Sequence, residues 1–278
     1  MSLLAKKKIL EFLEEDTGYG DITTALLPDL FGEAEVIAKE DGLVCGIEEI
    51  KILYGCLGCE TENYKRDGEE VAKNDAILKV MGPMKKILEG ERTALNLLMR
   101  MSGIATYSRK MSEKAKAGNK NVKVVETRKT APGLRYFDKK AVRVGTGSNH
   151  RWGLDDCILI KDNHQKALGM KKTVAAAKEA DWVHKIELEV HNLEDVVEAA
   201  KTGADIIMLD NFTEDEARQA SELLKKHGLR EKIILEISGN ITEKNIGAYA
   251  KYADVISVGA LTHSFKALDL SMNLKNFS

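Results

Sequence analysis

From about residue 122 onward, short runs of mostly β-branched apolar residues alternate with longer stretches whose apolar positions have helical spacing. This alternation is typical of βα units around a parallel sheet. It predicts six strands in the second half of the chain, at residues 122–126, 157–161, 185–190, 205–210, 232–238 and 254–259.

The helices between these strands carry their own start and end signals. Asn192 and Thr213 each precede acidic residues, which suit the positive end of a helix dipole, and Thr242 predicts the start of a third helix. Gly203 and Gly228 follow the first two of these helices, where glycine is common. These signals support the βα interpretation.

The first hundred residues have a different pattern. Residues 6–15 predict a short amphipathic helix, and glycine-containing turns separate short strand-like pieces such as 34–39 and 76–80. A long helical stretch follows at about 84–117. The pattern predicts a smaller α+β domain at residues 1–110, whose last helix leads into a second domain at 111–266.

Composition and charge exclude several classes of protein. The chain has 42 Lys and Arg against 44 Asp and Glu, a formal net charge of −2, so nothing in the total charge favours nucleic acid or a membrane surface. No run of 18 apolar residues occurs, and acids interrupt the N-terminal apolar stretch too early for a signal peptide. Cys56 and Cys59 form a C-x-x-C pair without other ligands at zinc spacing, so we interpret them as packing residues. These features predict a cytoplasmic protein with reduced thiols.

Charged and small polar residues follow the predicted strands at their carboxyl ends. In a parallel barrel these ends meet at one face, where the active site lies. Because six strands are visible rather than eight, we expect an incomplete or irregular barrel, with a doubly wound open sheet as the alternative.

Cations are concentrated between residues 122 and 162, which hold nine Lys or Arg against five Asp or Glu. The candidate binding residues at or near strand ends are Arg128, Lys129, His150, Arg151 and Lys161. Arginine binds carboxylate or phosphate through a bidentate fork, whereas lysine supplies a point charge. Several cations at one face imply a substrate with several negative charges. We interpret Lys139 and Lys140 instead as solvated helix surface.

Two carboxylates, Glu189 and Asp210, end successive strands. They either cap helices or form salt bridges, or they bind Mg²⁺ or ribose hydroxyls or stabilise a developing cation. Small residues that let backbone N–H groups approach a phosphate occupy the last two strand ends: Ser238, Gly239, Gly259 and Ala260. The set favours glycosyl transfer from a phosphorylated ribose to a di-acid.

Eight ordered motifs across the whole chain resemble the quinolinate phosphoribosyltransferase family. They are EDTGYGDITT at 15–24, ERTALN at 91–96, ETRKTAPGLR at 126–135, NHR at 149–151, KDNH at 161–164, IELEV at 186–190, MLDN at 208–211 and SVGALTHS at 257–264. The resemblance implies an α/β fold with an N-terminal open α/β sandwich and an irregular, incomplete barrel of six or seven strands. We expect residues 267–278 to pack back on the first domain.

The resemblance also implies a reaction. Quinolinate and phosphoribosyl pyrophosphate would give nicotinate mononucleotide, pyrophosphate and CO₂, with Mg²⁺ as cofactor. It implies that the quinolinate carboxylates face Arg128, Lys129, His150, Arg151 and Lys161. Lys129 and Lys161 would be catalytic, together with Glu189 and Asp210, which would hold ribose and Mg²⁺. Ser238, Gly239, Gly259 and Ala260 would surround phosphate. Arg92 would come from the partner subunit of a homodimer.

The chain departs from the family pattern at two turns. Asn240 follows Ser238-Gly239 where the family has a second glycine, and Thr146 interrupts a run that is all glycine in the family. Asparagine tolerates positive φ better than most residues, so the first turn is compatible with the fold. Three alternatives stay open: a paralogous ModD-like group linked to molybdate transport, a Schiff-base barrel lyase using Lys129 or Lys161, and a non-catalytic metabolite-binding protein.

Overall fold

The computed structural model describes residues 3–277 and divides into two compact units. The first contains the chain up to Arg109, the segment Thr130–Gly147 and the residues from Ser264 onward; the second contains Lys110–Lys129 and Ser148–His263. The segment Thr130–Gly147 thus belongs to the first unit. The domain ranges 1–110 and 111–266 stay predictions. The predicted ranges 1–110 and 267–278 include residues 1, 2 and 278, which lie outside the described residues.

The first unit is built on an antiparallel sheet with the strand order β12-β1-β5-β3. Elements are numbered along the chain, and this unit contains strands β1 (Phe31–Ala38), β2 (Gly42–Leu43), β3 (Glu60–Asn63), β4 (Glu70–Val71), β5 (Ala76–Pro83) and β12 (Leu270–Phe277). Its helices are α1 (Leu3–Thr17), α2 (Ile47–Cys56), α4 (Arg135–Thr146) and most of α3 (Met84–Gly118). The C-terminal strand β12 pairs with β1, which places the end of the chain on this sheet.

Strand β1 shows why this sheet forms. Ala34, Val36 and Ala38 alternate with more exposed residues, so one face is buried and the other is partly open to solvent. Cys59 is buried beside this sheet, with its Sγ 2.7 Å from the position a Cβ on Gly82 would take, whereas Cys56 is exposed. The packing interpretation thus holds for Cys59 and not for Cys56.

The second unit is a parallel sheet with the strand order β6-β11-β10-β9-β8-β7. Its strands are β6 (Lys123–Val125), β7 (Ile158–Ile160), β8 (Ile186–Val190), β9 (Ile206–Asp210), β10 (Ile234–Ser238) and β11 (Val255–Ser257). Its helices are α5 (Asp162–Leu168), α6 (Met170–Ala180), α7 (Leu193–Lys201), α8 (Glu214–Lys226), α9 (Ile246–Tyr249) and α10 (Ala260–His263). Each predicted strand is present within two residues of its predicted bounds.

The strand order decides between the two predicted architectures. Strands β7 to β11 follow one another without the reversal that a doubly wound sheet requires, and β6 pairs with β11 at the far edge. This is the order of a barrel, but within residues 3–277 the edge strands β6 and β7 do not pair with each other. The prediction of an incomplete six-strand barrel is confirmed, and its open side lies between β6 and β7.

Caps fix the helices of this unit. The Asn192 side chain accepts a hydrogen bond from the Asp195 N–H at the start of α7, and Thr213 forms a reciprocal capping box with Glu216 at the start of α8. The prediction for Thr242 is wrong by several residues, because α9 begins only at Ile246. The Thr242 N–H instead donates to the Asn245 side chain over 2.7 Å, which holds residues 242–245 in a turn.

The expectation of solvated surface on α4 is wrong. Lys139 is fully buried, and the Lys140 Nζ lies 2.6 Å from Glu49 and 2.9 Å from Asp67. Burial alone would lower the pKa of Lys140, but these carboxylates, Glu49 foremost, outweigh burial and raise it. The cationic face of α4 is therefore used for packing within the first unit.

Among residues 3–277, no helix is long and apolar enough to cross a membrane.

Candidate active site

The carboxyl ends of the parallel strands surround a cavity of about 500 Å³ in the second unit. Nine predicted site residues line it: Arg128, Lys129, His150, Arg151, Lys161, Glu189, Asp210, Ser238 and Gly239. Asn240, where the chain departs from the family pattern, lines it as well. Residues spread over more than one hundred positions of the sequence meet here because most of them lie at or just after the end of a strand of one parallel sheet. His150 and Arg151 reach the cavity from the segment between α4 and β7.

Cations form one side of the cavity. Lys129 follows β6, where its carbonyl accepts a hydrogen bond from the Thr262 hydroxyl over 3.0 Å. Arg151 donates from Nη1 to the Cys157 carbonyl over 3.0 Å. Gly259 does not line the cavity; a Cβ there would lie 3.0 Å from the Lys129 Cδ, so the glycine leaves room for the lysine stem. Ala260 likewise lies outside the lining, at the start of α10.

Carboxylates line the same cavity. The Lys161 Nζ lies 2.6 Å from the Glu189 Oε2, which joins the end of β7 to the end of β8. The Asp210 carboxyl lies at the end of β9; burial and the nearby Glu189 carboxylate raise its pKa. Two acids and a lysine on neighbouring strands thus form one charged cluster.

His191 belongs to this cluster and was not predicted. Its Nε2 lies 3.2 Å from Glu189 Oε1, and its Nδ1 lies 3.6 Å from Asp210 Oδ2. The sequence signal was available, because His191 directly follows β8 at the same edge as Glu189 and Asp210. The ligand atoms of the three residues lie within 4.8 Å of one another, close enough to hold a metal ion.

The donor set fits a magnesium ion. Mg²⁺ prefers oxygen ligands and is usually held by one or two carboxylates plus water and substrate phosphate, which the Glu189 and Asp210 carboxylates allow. The His191 imidazole adds a nitrogen donor that suits transition metals better than Mg²⁺. The two carboxylates are the donors of this cluster that suit a hard cation.

His150 lies between two buried glutamates that were not predicted. Its Nε2 is 3.3 Å from Glu187 Oε2 and 3.4 Å from Glu236 Oε1, on β8 and β10. Burial would lower the pKa of His150, but the two carboxylates outweigh it and raise the pKa to about 10. The alternation of IELEV places Glu187 on the same face as Glu189, which was the available signal.

Arg92 lies in the first unit, where it is exposed on α3. That unit holds a cavity of about 440 Å³ whose lining comes partly from two of the sequence motifs: Glu15, Asp16, Thr93 and Asn96. Arg100 also lines it and donates from Nε and Nη2 to the buried Asp138 carboxylate over 2.8 and 2.9 Å. Residues of motifs that lie far apart in the sequence thus meet in the first unit as well.

An incomplete parallel barrel whose strand ends combine cations, carboxylates and a small-residue turn defines an enzyme of the α/β-barrel class that acts on anionic substrates. Comparison with known proteins specifies the family. A model of the C-terminal domain of quinolinate phosphoribosyl transferase matches residues 104–273, and a model of its N-terminal domain matches residues 21–102. The chain belongs to the quinolinate phosphoribosyltransferase family.

Individual relatives agree over nearly the full length. The chain is 46% identical over 279 residues to a probable nicotinate-nucleotide pyrophosphorylase [carboxylating] of Methanocaldococcus jannaschii, covering 98% of both chains. It is 36% identical over 245 residues to the nicotinate-nucleotide pyrophosphorylase [carboxylating] of Homo sapiens, covering 87% of this chain and 82% of the human one. The solved nicotinate-nucleotide pyrophosphorylase of Francisella tularensis superposes with a TM-score of 0.92 at 37% identity, covering 98% and 96% of the two chains.

Proposed function

We propose that this protein transfers phosphoribosyl from phosphoribosyl pyrophosphate to quinolinate with loss of CO₂, giving nicotinate mononucleotide and pyrophosphate for NAD biosynthesis. One observation carries the proposal. A single cavity combines a cationic side, suited to a dicarboxylate and phosphates, with the carboxylate pair Glu189 and Asp210, suited to a sugar cation. Family membership and the names of the relatives support the same reaction.

The cations bind and orient quinolinate. Arg128 and Arg151 offer planar forks for its carboxylates, and Lys129 adds a point charge at the end of β6. Binding holds the pyridine nitrogen toward the ribose carbon that it attacks. Such positioning converts a bimolecular step into an effectively unimolecular one, which supplies about 7–11 kcal/mol in favourable cases.

The carboxylates act on the sugar. Glu189 and Asp210 hold the ribose and stabilise the positive charge that develops on it as the bond to pyrophosphate breaks. The same two residues would hold Mg²⁺, which neutralises the charge of the departing pyrophosphate. Lys161, 2.6 Å from Glu189, keeps that carboxylate directed along the cavity and adds positive charge beside the substrate.

Loss of CO₂ follows from the product of the first step. Once the pyridine nitrogen carries the ribose it is positively charged, so it draws electrons from the adjacent ring carbon. The bond from that carbon to its carboxylate then breaks, CO₂ leaves, and a proton takes its place. The protein contributes by keeping the ring fixed against Arg128, Lys129 and Arg151.

The active assembly is a homodimer in which Arg92 of one subunit completes the site of the other. The exposure of Arg92 on α3 supports this arrangement. Apolar side chains on the same unit are also exposed, including Tyr19, Ile22 and Leu26. A partner subunit that covers these side chains would remove their apolar surface from water.

A turnover assay tests the proposed reaction. Purified protein with quinolinate, phosphoribosyl pyrophosphate and Mg²⁺ is expected to release CO₂ and pyrophosphate in equal amounts. Nicotinate in place of quinolinate is the matched control, because it lacks the carboxylate that leaves. Absence of turnover together with absence of quinolinate binding would overturn the proposal.

Subunit mixing tests the role of Arg92. Arg92→Ala and Lys161→Ala proteins are each expected to be weakly active, and after subunit exchange they should regain activity through one intact composite site. Exchange itself is verified by native mass spectrometry with one subunit isotopically labelled. Exchange without any gain in activity would show that Arg92 does not act across the interface.

A further inference from the structure

At the carboxyl ends of β9 and β10, two asparagines adopt a left-handed backbone conformation. Asn211 has φ of 61° and Asn240 has φ of 53°. The Asn211 N–H donates to the Ser238 carbonyl over 2.9 Å, which joins the two strand ends. A Cβ on Gly239 would overlap the Asn211 Oδ1 at 2.2 Å, so the Asn211 side chain passes directly over residue 239. The turn is therefore built around the Asn211 side chain.

A row of hydrogen bonds connects these side chains to Asp210 in the charged cluster. Asn240 Nδ2 donates to Asn211 Oδ1 over 3.0 Å, and Asn211 Nδ2 donates to Asp210 Oδ2 over 2.8 Å. The Asn240 carbonyl in turn accepts a hydrogen bond from Asn245 Nδ2 over 3.0 Å, which fixes the backbone at the start of the row. Because an amide has its donor and acceptor on opposite sides, capture of the Asn211 oxygen directs its nitrogen toward Asp210.

The Asp210 carboxylate needs such a restraint. Glu189 and Asp210 carry like charges, and their ligand atoms lie within 4.8 Å of each other, so repulsion favours rotation of one of them away. Lys161 restrains Glu189 at 2.6 Å, and His191 contacts both acids. Asn211 donates a hydrogen bond to Asp210 Oδ2, the same oxygen that the His191 ring approaches.

We propose that Asn240 is a positioning residue that orients the Asp210 carboxylate through Asn211. Backbone geometry alone does not require asparagine at this position, since glycine adopts positive φ without strain. The side-chain amide is what asparagine adds, and its nitrogen points at Asn211. The proposal rests on the proposed function for the identity of the substrate. The row of hydrogen bonds from Asn240 to Asp210 does not depend on that function.

Glycine substitutions separate the amide from the backbone. Asn240→Gly keeps the positive φ and removes the side chain; Asn211→Gly does the same one step closer to Asp210. The matched control is Asn74→Gly, because Asn74 has φ of 75° in a turn of the first unit. All variants are made in the full chain, and thermal unfolding verifies that each is folded.

The expected effect is on the binding of Mg²⁺ and pyrophosphate. Loss of one hydrogen bond in the row weakens binding of Mg²⁺–pyrophosphate, measured by calorimetry, by about three- to tenfold in Asn240→Gly. KM for phosphoribosyl pyrophosphate rises by a similar factor, while KM for quinolinate stays unchanged. Because Asn240 acts through Asn211, the double variant is expected to bind Mg²⁺–pyrophosphate no more weakly than Asn211→Gly alone. Asn74→Gly binds like the unmodified chain.

Two results would overturn the proposal: unchanged Mg²⁺–pyrophosphate affinity in Asn240→Gly, or effects of the two substitutions that add in the double variant. The Asn211 side-chain amide signals in an NMR spectrum give a readout that needs no substrate. Asn240→Gly is expected to shift them, and an unchanged spectrum contradicts the row. Failure of the proposed function would look different, because turnover would be absent while the Asn211 signals still respond.

Discussion

His150 is expected to remain protonated well above neutral pH and to stabilise the folded protein as long as it does. Its Nε2 faces Glu187 and Glu236 on the inner side of the sheet, and these carboxylates raise its pKa from 6.5 to about 10 against the opposing effect of burial. Since the folded-state pKa lies above the unfolded-state pKa, the contribution is complete below pH 6.5 and is lost as the pH rises through 10.

The magnitude follows from these two pKa values. A group with unfolded and folded pKa values of about 6.5 and 10 contributes about 4 kcal/mol at pH 7 and about 1.5 kcal/mol at pH 9. The free energy of unfolding should therefore fall by about 2.5 kcal/mol between pH 7 and pH 9 through this group. The His150 side chain is only 12% exposed, so screening by water takes little from this value.

A competing contact makes the prediction discriminating. The Arg151 backbone N–H lies 2.7 Å from the His150 Nδ1, and a donor at that position favours an imidazole protonated only on Nε2. Two buried carboxylates on Nε2 favour the imidazolium. Charges interact more strongly than a single backbone dipole at these distances, so we expect the imidazolium to prevail.

Two measurements check this prediction. Urea unfolding at pH 7, 8 and 9 gives the slope of the unfolding free energy, and NMR of the His150 ring gives its pKa directly. Glu236→Gln, which removes one charge and keeps the shape, should lower the His150 pKa by about one unit or more and flatten the slope. A ring that titrates near 6.5, with equal slopes in both proteins, would refute the reasoning.

Three further predictions follow from the same structure. Lys129→Ala and Lys161→Ala should each lower kcat/KM by a factor of at least some tens. Near-normal rates in both variants would indicate that these lysines are solvated surface residues without a role in the reaction. Gly239→Ala should weaken the binding of Mg²⁺–pyrophosphate, measured by calorimetry. The added Cβ would overlap the Asn211 Oδ1, and the φ of 90° at this position disfavours alanine; an unchanged affinity would contradict the close approach. Thr213→Ala should lower the unfolding free energy in urea by about 1 kcal/mol with kcat unchanged, whereas an unchanged midpoint would deny the cap a role.

Much of the second unit could be predicted because its signals are local. Apolar runs located the six strands, and Asn192 and Thr213 capped helices where expected. Thr242 does not start a helix, because residues 243–245 form a turn and α9 begins only at Ile246. His191 was missed although its position directly after β8, the strand that carries Glu189, was a usable signal.

Interactions that join distant parts of the chain could not be predicted in this way. Lys140 was expected in solvent, yet it lies against Glu49, 91 residues away, because the orientation of α4 is set by packing within the first unit. The contacts of the His150 Nε2 with Glu187 and Glu236 were likewise not predicted, and the assignment of His150 to the substrate carboxylates stays a prediction. No local rule says which side chains of neighbouring strands meet.

The sequence by itself determined the strands, most helix starts, and the chemical types of the residues at each strand end. These depend on apolar spacing and on contacts within a few residues, which any stretch of chain carries with it. Only the tertiary structure decided that Asn240 reaches Asn211 and that His191 bridges Glu189 and Asp210. Strand order and register set those distances, and both result from packing the whole sheet rather than from any one of its strands. A chain that is nearly neutral in total thus brings cations and carboxylates together in one cavity when it folds.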